Sequence, residues 1–329
     1  MNIQKYATPV LAALALALLG SRLAHTQDAP PPPPFNAQSY TLEAKYAVND
    51  LLKYKMAMTM KMDMKAAKAG APVPPLGEMS TNATIRMKTV AVKPDGTGVI
   101  VSQILEGETA AMGKKQSLAG TPPFTQEIDK RGRIKVISGL PTTGAGAQFL
   151  QGMDFKNMQS SGVLLPDHPV KVGDSWEGEV PFPIGNSKAK ITCTLLGAEP
   201  VQGVETLKVK QLLVVPIIMS LGMDGQPTKD EGATMITMNG QVTVDGIMNI
   251  LPANARLVKS SGDFGMKLAM EFKGPLAAQS QVGAGMEMTG NGKVGMTLLS
   301  AGKVEPVSTK PPAAPTTKPA AKRPAVKGK

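Results

Sequence analysis

Few side chains in this sequence could carry chemistry, and their spacing suits none of the common sites. Histidine occurs only at His25 and His168, so no His-Glu-x-x-His helix and no multi-histidine metal site can be built. His168 lies in Pro166-Asp167-His168-Pro169, a loop by its prolines. No Gly-x-Ser-x-Gly elbow exists to present a serine to it. Cys193 is the only cysteine, which excludes an intrachain disulfide and any four-cysteine zinc or iron–sulfur site. It sits in the alternating run Ala189-x-Ile191-x-Cys193-x-Leu195, where a thiol is expected as a small buried hydrophobe; a reactive thiol is the competing reading.

Other motifs match by letters only. Gly290-Asn291-Gly292-Lys293-Val294-Gly295 has dinucleotide-binding spacing but falls inside an alternating strand pattern, with no helix N-terminus to hold phosphate. Asp263-Phe264-Gly265 is likewise part of a strand pattern. The pairs Glu106/Glu108 and Glu177/Glu179 share one strand face each and are expected to be solvated. Trp176, the only tryptophan, follows a Gly173-Asp174 turn and is expected as a core anchor, with ligand stacking as the alternative. The sequence therefore predicts no catalytic residue, no cofactor and no metal site.

Methionine is the exception. The chain has 21 methionines in 329 residues while aromatics make up 4%. In Tyr54–Met64 every even position is Tyr or Met, and the odd positions are Lys55, Ala57, Thr59, Lys61 and Asp63. A helix would scatter these methionines around its circumference, whereas a strand puts them on one face. The same alternation recurs in Met79–Ala91, Ile236–Met248, Val258–Phe272 and Val282–Leu298. Inward positions then include Met56, Met58, Met60, Met62, Met238, Met266, Met270, Met286 and Met288, the expected apolar wall of a binding face. Three uses suit such a wall. Methionine fills irregular core gaps; it also makes an adaptable surface for lipids or acyl chains. Its thioether favours Cu(I). The copper use is the weakest from sequence, since neighbours along Met56–Met64 stand about 7 Å apart and no His–Met cluster accompanies them.

These strands set the architecture. One apolar and one polar face marks an antiparallel sheet solvated on one side. Turn residues fit a meander: Pro94-Asp95-Gly96, Lys130-Arg131-Gly132 and Gly185-Asn186. The expected fold is mainly β, a long-stranded, curved antiparallel sheet forming a half-barrel or barrel, with one short helix near 144–158 as its cover. Two segments repeat in outline. Tyr46-Ala-Val-Asn-Asp50 and Val170-Lys-Val-Gly-Asp174 open halves at 39–143 and 166–302, and Arg133-Ile-Lys-Val-Ile-Ser-Gly139 parallels Arg256-Leu-Val-Lys-Ser-Ser-Gly262. An internal duplication is one reading; chance in a strand-rich chain is the other.

The ends differ from the domain at 39–302. Lys5, the apolar run Val10–Leu19 and the small residues Gly20, Ser21 and Ala24 make residues 1–26 a secretory signal peptide, with an uncleaved anchor as the competing reading. Pro30–Pro34 makes 27–38 an extended linker. Residues 303–329 form a Pro/Ala/Lys tail, expected to be disordered, with seven cations against one anion. Most of the net charge of +11 therefore belongs to the tail and the export segment, and the near-neutral domain offers no nucleic-acid-binding face.

Leu165-Pro166-Asp167-His168-Pro169-Val170-Lys171-Val172-Gly173-Asp174-Ser175-Trp176 resembles a segment of bacterial secreted proteins and lipoproteins of unknown function. Tyr40-Thr41-Leu42 and Arg256–Asp263 fit the same picture. The resemblance implies kinship with the curved-sheet lipoprotein-carrier and lipid-binding folds of the bacterial envelope. It brings no catalytic residues, and no lipidation cysteine follows the export signal. The expectation is a non-enzymatic protein, exported to the periplasm or beyond, that binds a lipid or another apolar ligand on its Met-rich face. The alternative is a structural or interaction module whose Met face is only core, with the basic tail contacting anionic envelope polymers.

Overall fold

The computed structural model describes residues 38–303, apart from 70, 72, 74–76, 112, 140–158, 162, 182–187, 223–227, 229, 231–234 and 281–282. The signal peptide, most of the Pro-rich linker, nearly all of the basic tail and the expected helix at 144–158 lie outside the described residues. Lys303, expected as the first tail residue, ends the last strand instead and pairs with Asp50.

Alternating sequence becomes a single antiparallel sheet of 13 strands. The strands are β1 (Asp50–Ala66), β2 (Gly77–Val92), β3 (Gly98–Ala111), β4 (Lys114–Ser117), β5 (Phe124–Ile128), β6 (Arg133–Ser138), β7 (Gln159–Ser161), β8 (Ser175–Pro181), β9 (Lys188–Val201), β10 (Val204–Leu221), β11 (Ile236–Ile250), β12 (Leu257–Phe272) and β13 (Gly285–Lys303). One helical turn, α1 (Gly274–Gln279), stands between β12 and β13. It was not foreseen, and its start is fixed by a proline at its first turn.

The order across the sheet is β7-β6-β5-β3-β2-β1-β13-β12-β11-β10-β9-β8, with β4 attached to β3. Two meanders are thus joined back to back by the first and last strands. The curl is a nearly closed barrel: β7 and β8 lie side by side, yet no ladder joins them among the described residues. The Arg133 segment forms the fifth strand of the first meander along this path, and the Arg256 segment leads into the fifth strand of the second. The wall is uneven in height. At about 3.3 Å per residue, the 17 residues of β1 would span about 56 Å and the six of β6 only about 20 Å.

Alternation holds where it was expected, with one local exception. The alternation of Met79–Ala91 would put Ala91 on the inner face with Met79, Ala83, Ile85 and Met87, but it is exposed, because the β2–β3 ladder passes from Thr89 to Ala91 and leaves Val90 as an extra residue. Thr89 takes the buried place.

The two ends of the barrel are built differently. At one end the connections are tight turns at 93–97, 129–132, 202–203 and 251–256. Two segments lie across this end. The first, residues 40–49, hydrogen-bonds in turn to Val170, Lys130, Asn254 and Thr89 through its backbone. The second, residues 163–170, is tied to the β5–β6 turn by Leu165 N donating to Arg131 O at 2.9 Å, and Arg131 Nε returns a bond to Leu165 O. Gly132 has φ +78, and a Cβ there would stand 2.1 Å from the Val163 carbonyl oxygen, so only glycine fits beneath this strap. Trp176 packs at 5% exposure and donates its indole N–H to Leu164 O at 2.8 Å. The ion pair Arg256–Asp50, at 2.9 Å and largely buried, and the Tyr54 hydroxyl bond to Leu257 O lock β1 to the β11–β12 turn.

Burial raises the pKa of Tyr54, and of Tyr46 with the Asp129 carboxylate adding to the effect. It pushes the Cys193 thiol up to about 12. The folded state thus favours the neutral form of all three groups. Their contribution is complete below their ordinary values of 9.0 and 10.0 and is lost as pH rises through that range toward the folded values. Denaturation midpoints are therefore expected to stay level up to about pH 8.5 and to fall above it. A Cys193→Ala, Tyr54→Phe double variant is expected to show a shallower fall; equal slopes would remove these groups as the cause. Trp176→Phe, which strands the Leu164 carbonyl, is expected to cost about 1–2 kcal/mol in urea denaturation.

Candidate functional site

Register decides which side chains meet on the inner face, because directly opposed residues on neighbouring strands share a side. Near the strapped end one row runs Ala83–Met56–Met296–Ser260–Met248–Val209–Leu195 across seven strands. Midway, Met79–Met60–Gly292–Phe264–Val244–Leu213–Ile191 forms another. At the far end the row Met286–Met270–Met238–Met219 crosses β13, β12, β11 and β10. Glycines alternate with the long side chains. Gly292 sits opposite both Met60 and Phe264, and a Cβ there would lie 2.1 Å from Thr59 O on β1. The spacing lets the strands approach where the neighbouring side chains are largest.

Every methionine expected on the inner face is found there. Met56, Met58, Met60, Met62, Met238, Met266, Met286 and Met288 are buried, at 1–8% exposure, and Met270 is half-buried. All but Met56, Met270 and Met286 belong to one continuous apolar cluster with Val163–Leu165, Trp176 and the inward residues of β9–β13. Met270 packs against that cluster, and Met56 joins a smaller group with Ala83, Ile85 and Ile104. Met219, a member of the far row, escaped the sequence reading because β10 is apolar on both faces.

The inner wall also holds polar groups, which sequence reasoning missed. Thr81 and Thr109 bond to each other, and Gln126 donates to Ser102. Gln211 accepts from Leu164 N and from the Cys193 thiol, so one amide ties the strap to two strands. Ser260 differs. It is 2% exposed, and its hydroxyl is the one buried side-chain polar atom among the described residues with no hydrogen-bond partner. Its row neighbours are Met248 and Met296. A buried hydroxyl without a partner is costly, and such groups mark places where another molecule can supply the missing bond.

The remaining sequence candidates sit elsewhere. Cys193 is fully buried, and its raised pKa removes it as a nucleophile near neutral pH. His168 is exposed and bonds only to the adjacent Asp167 among the described contacts, at 2.9 Å; that bond holds the Asp167 carboxyl below its usual range. Glu177 and Glu179 face outward and pair with Lys190 and Lys188; the Lys190 bond lowers the Glu177 pKa. Glu108 pairs with Lys115, and Glu106 accepts from Thr84. The Gly290–Gly295 motif is mid-strand in β13.

No family model matches the chain, and no curated protein matches it. Solved structures do match the chain, among them the following two. A DUF1329 family protein from Desulfovibrio piger has 8% identity, covers 76% of this chain and 86% of its own, and superposes with a TM-score of 0.15. A triple mutant of the Rhodopseudomonas blastica porin has 10% identity, covers 75% of this chain and 99% of its own, and reaches 0.20. Scores this low carry no inference about function. The polarity of the wall is more telling. Asp245, Asp263, Lys267 and Lys293 project outward from mid-strand, and Lys61, Asp63 and Glu287 from nearer the strand ends, while the apolar set faces in. A membrane-spanning barrel has an apolar outer band, where each mid-depth cation would cost about 2–4 kcal/mol. On β1 and β11–β13 the outer face is charged and the inner face apolar.

Met60→Ala is expected to cost about 2–4 kcal/mol in urea denaturation and Met60→Leu less than about 1.5, since only the first opens a cavity. Ser260→Ala is expected to leave the ligand-free protein as stable or slightly more so, because no bond is lost. A clear loss of stability would show that the hydroxyl has a partner after all.

Proposed function

We propose that this chain is a non-enzymatic binding protein of the bacterial envelope or extracellular space, and that it takes a lipid or similar apolar ligand on its inner face. The observation that carries the reading is a continuous Met-rich apolar wall holding one unpartnered buried hydroxyl, Ser260. An apolar surface with a few polar groups is the common chemistry of small-molecule sites. Methionine adapts to chains of differing shape without demanding one fit. The straps lie across one end, so a ligand enters from the opposite end (the loop end) or over the low β5–β7 wall, with its polar atom reaching Ser260. The export signal at 1–26 supplies the location.

The competing reading keeps the Met face as core and gives the contact role to the tail, through Lys310, Lys318, Lys322, Arg323, Lys327 and Lys329. Near-complete burial of the inward methionines favours it. Native mass spectrometry of the purified mature protein, followed by lipid extraction, separates the two. Under the carrier reading a lipid co-purifies, and the delipidated protein binds a fluorescent long-chain fatty acid. Ser260→Val should weaken that binding about five- to tenfold without unfolding the protein. A protein that carries no lipid and takes up none, yet binds anionic polymers only while its tail is present, would overturn the carrier reading.

A further inference from the structure

The far row of methionines has a geometry that spacing along one strand does not reveal. Met219, Met238, Met270 and Met286 are register partners on four adjacent strands. Directly opposed residues place their Cβ atoms about 4.5–5.5 Å apart, against about 7 Å for next-but-one residues along a strand. The sheet is also curled with this face inside, so side chains from neighbouring strands lean toward a common axis. A soft ion with bonds of about 2.3 Å to sulfur needs sulfurs about 4 Å apart, which adjacent members of the row reach with their flexible side chains, while Met219 and Met286, three strand gaps or about 14 Å apart, must both lean inward to share one ion.

The surroundings favour the same chemistry. Met238 and Met286 are buried, while Met219 and Met270 are half-buried, so the row runs from dry wall to partly accessible edge. Met64 and Met288 occupy the next row in, opposite each other on β1 and β13. The acidic neighbours Glu271 and Glu287 alternate to the outer face, which leaves thioethers as the soft ligands of this row among the described residues. Thioether sulfur selects Cu(I), and its close analogue Ag(I), over zinc, magnesium or calcium.

We propose that the Met219–Met238–Met270–Met286 row is a thioether site for a monovalent soft cation, Cu(I) or Ag(I), at the loop end of the barrel. The site is separate from lipid binding at Ser260 and stands whether or not a lipid is carried. A thioether has no proton to lose, so the affinity should hold steady between pH 7 and pH 5, unlike binding through histidine or carboxylate.

The test is anaerobic titration of the full mature chain with Cu(I) against a chromogenic Cu(I) chelator, repeated with Ag(I) by native mass spectrometry. One ion per chain is expected, with only sulfur in the first shell by X-ray absorption. The pair Met238→Leu, Met270→Leu should weaken binding at least tenfold, and the fourfold leucine variant should abolish it. Leucine keeps the volume, and circular dichroism checks that the variants remain folded. A His168→Ala variant should bind as the parent does. The proposal is overturned if the folded parent takes up no ion, or if the fourfold variant binds normally. It fails equally if the first shell contains nitrogen or oxygen, or if affinity drops between pH 7 and pH 5.

Discussion

The structure depends on the ladder between β1 and β13. It joins the first strand to the last along nearly their whole length, from Asp50–Lys303 to Ala66–Met286. Both strands belong to the wall with the densest run of inward methionines. A shift of one residue in this register would turn Met56–Met62 out to water and bring Lys55, Lys61 and Asp63 inside. Burying three charges against thioethers is so unfavourable that the correct pairing is strongly specified. The other ladders join strands close to one another in the chain, but this one must be found between distant parts of it, and such pairings form slowly.

The part of the fold that was readable is the part with one wet face and one dry face. β1, β11, β12 and β13 alternate cleanly, β2 does so up to its bulge at Val90, and their inward methionines follow from the alternation. β10 was obscure because Leu212, Val214, Pro216 and Ile218 make its outer face apolar as well, and Ile218 is 65% exposed. Two-sided apolarity reads equally as buried helix or buried strand. Pro216 argues against a central strand, and it is accommodated because the β9–β10 ladder ends at Val214. The short β5, β6 and β7 were too brief to give a period. The straps at 40–49 and 163–170 have no period to read, since they are held by backbone bonds to scattered turns.

The candidate site was legible in composition but not in arrangement. That methionines face inward follows from alternation on single strands. Which methionines stand next to one another depends on register between strands, and one chain read residue by residue does not contain it. The far methionine row and the position of Ser260 emerge only when seven strands are set side by side. Gln211 shows the same limit. An amide in an apolar strand looks like an error until Leu164 N and the Cys193 thiol are found at its oxygen.

The gap between β7 and β8 lies directly opposite the β1–β13 ladder, with six strands of the sheet path on either side. The barrel therefore resembles a bracelet with a solid back and a clasp. Among the described residues the clasp is the one place where neighbouring strands share no ladder. What fastens the clasp is a small set of bonds from the straps: Tyr40 to Val170, Leu165 to Arg131, and Trp176 to Leu164. Across this seam the two meanders are therefore held by strap contacts in place of a strand ladder, opposite the methionine-lined back.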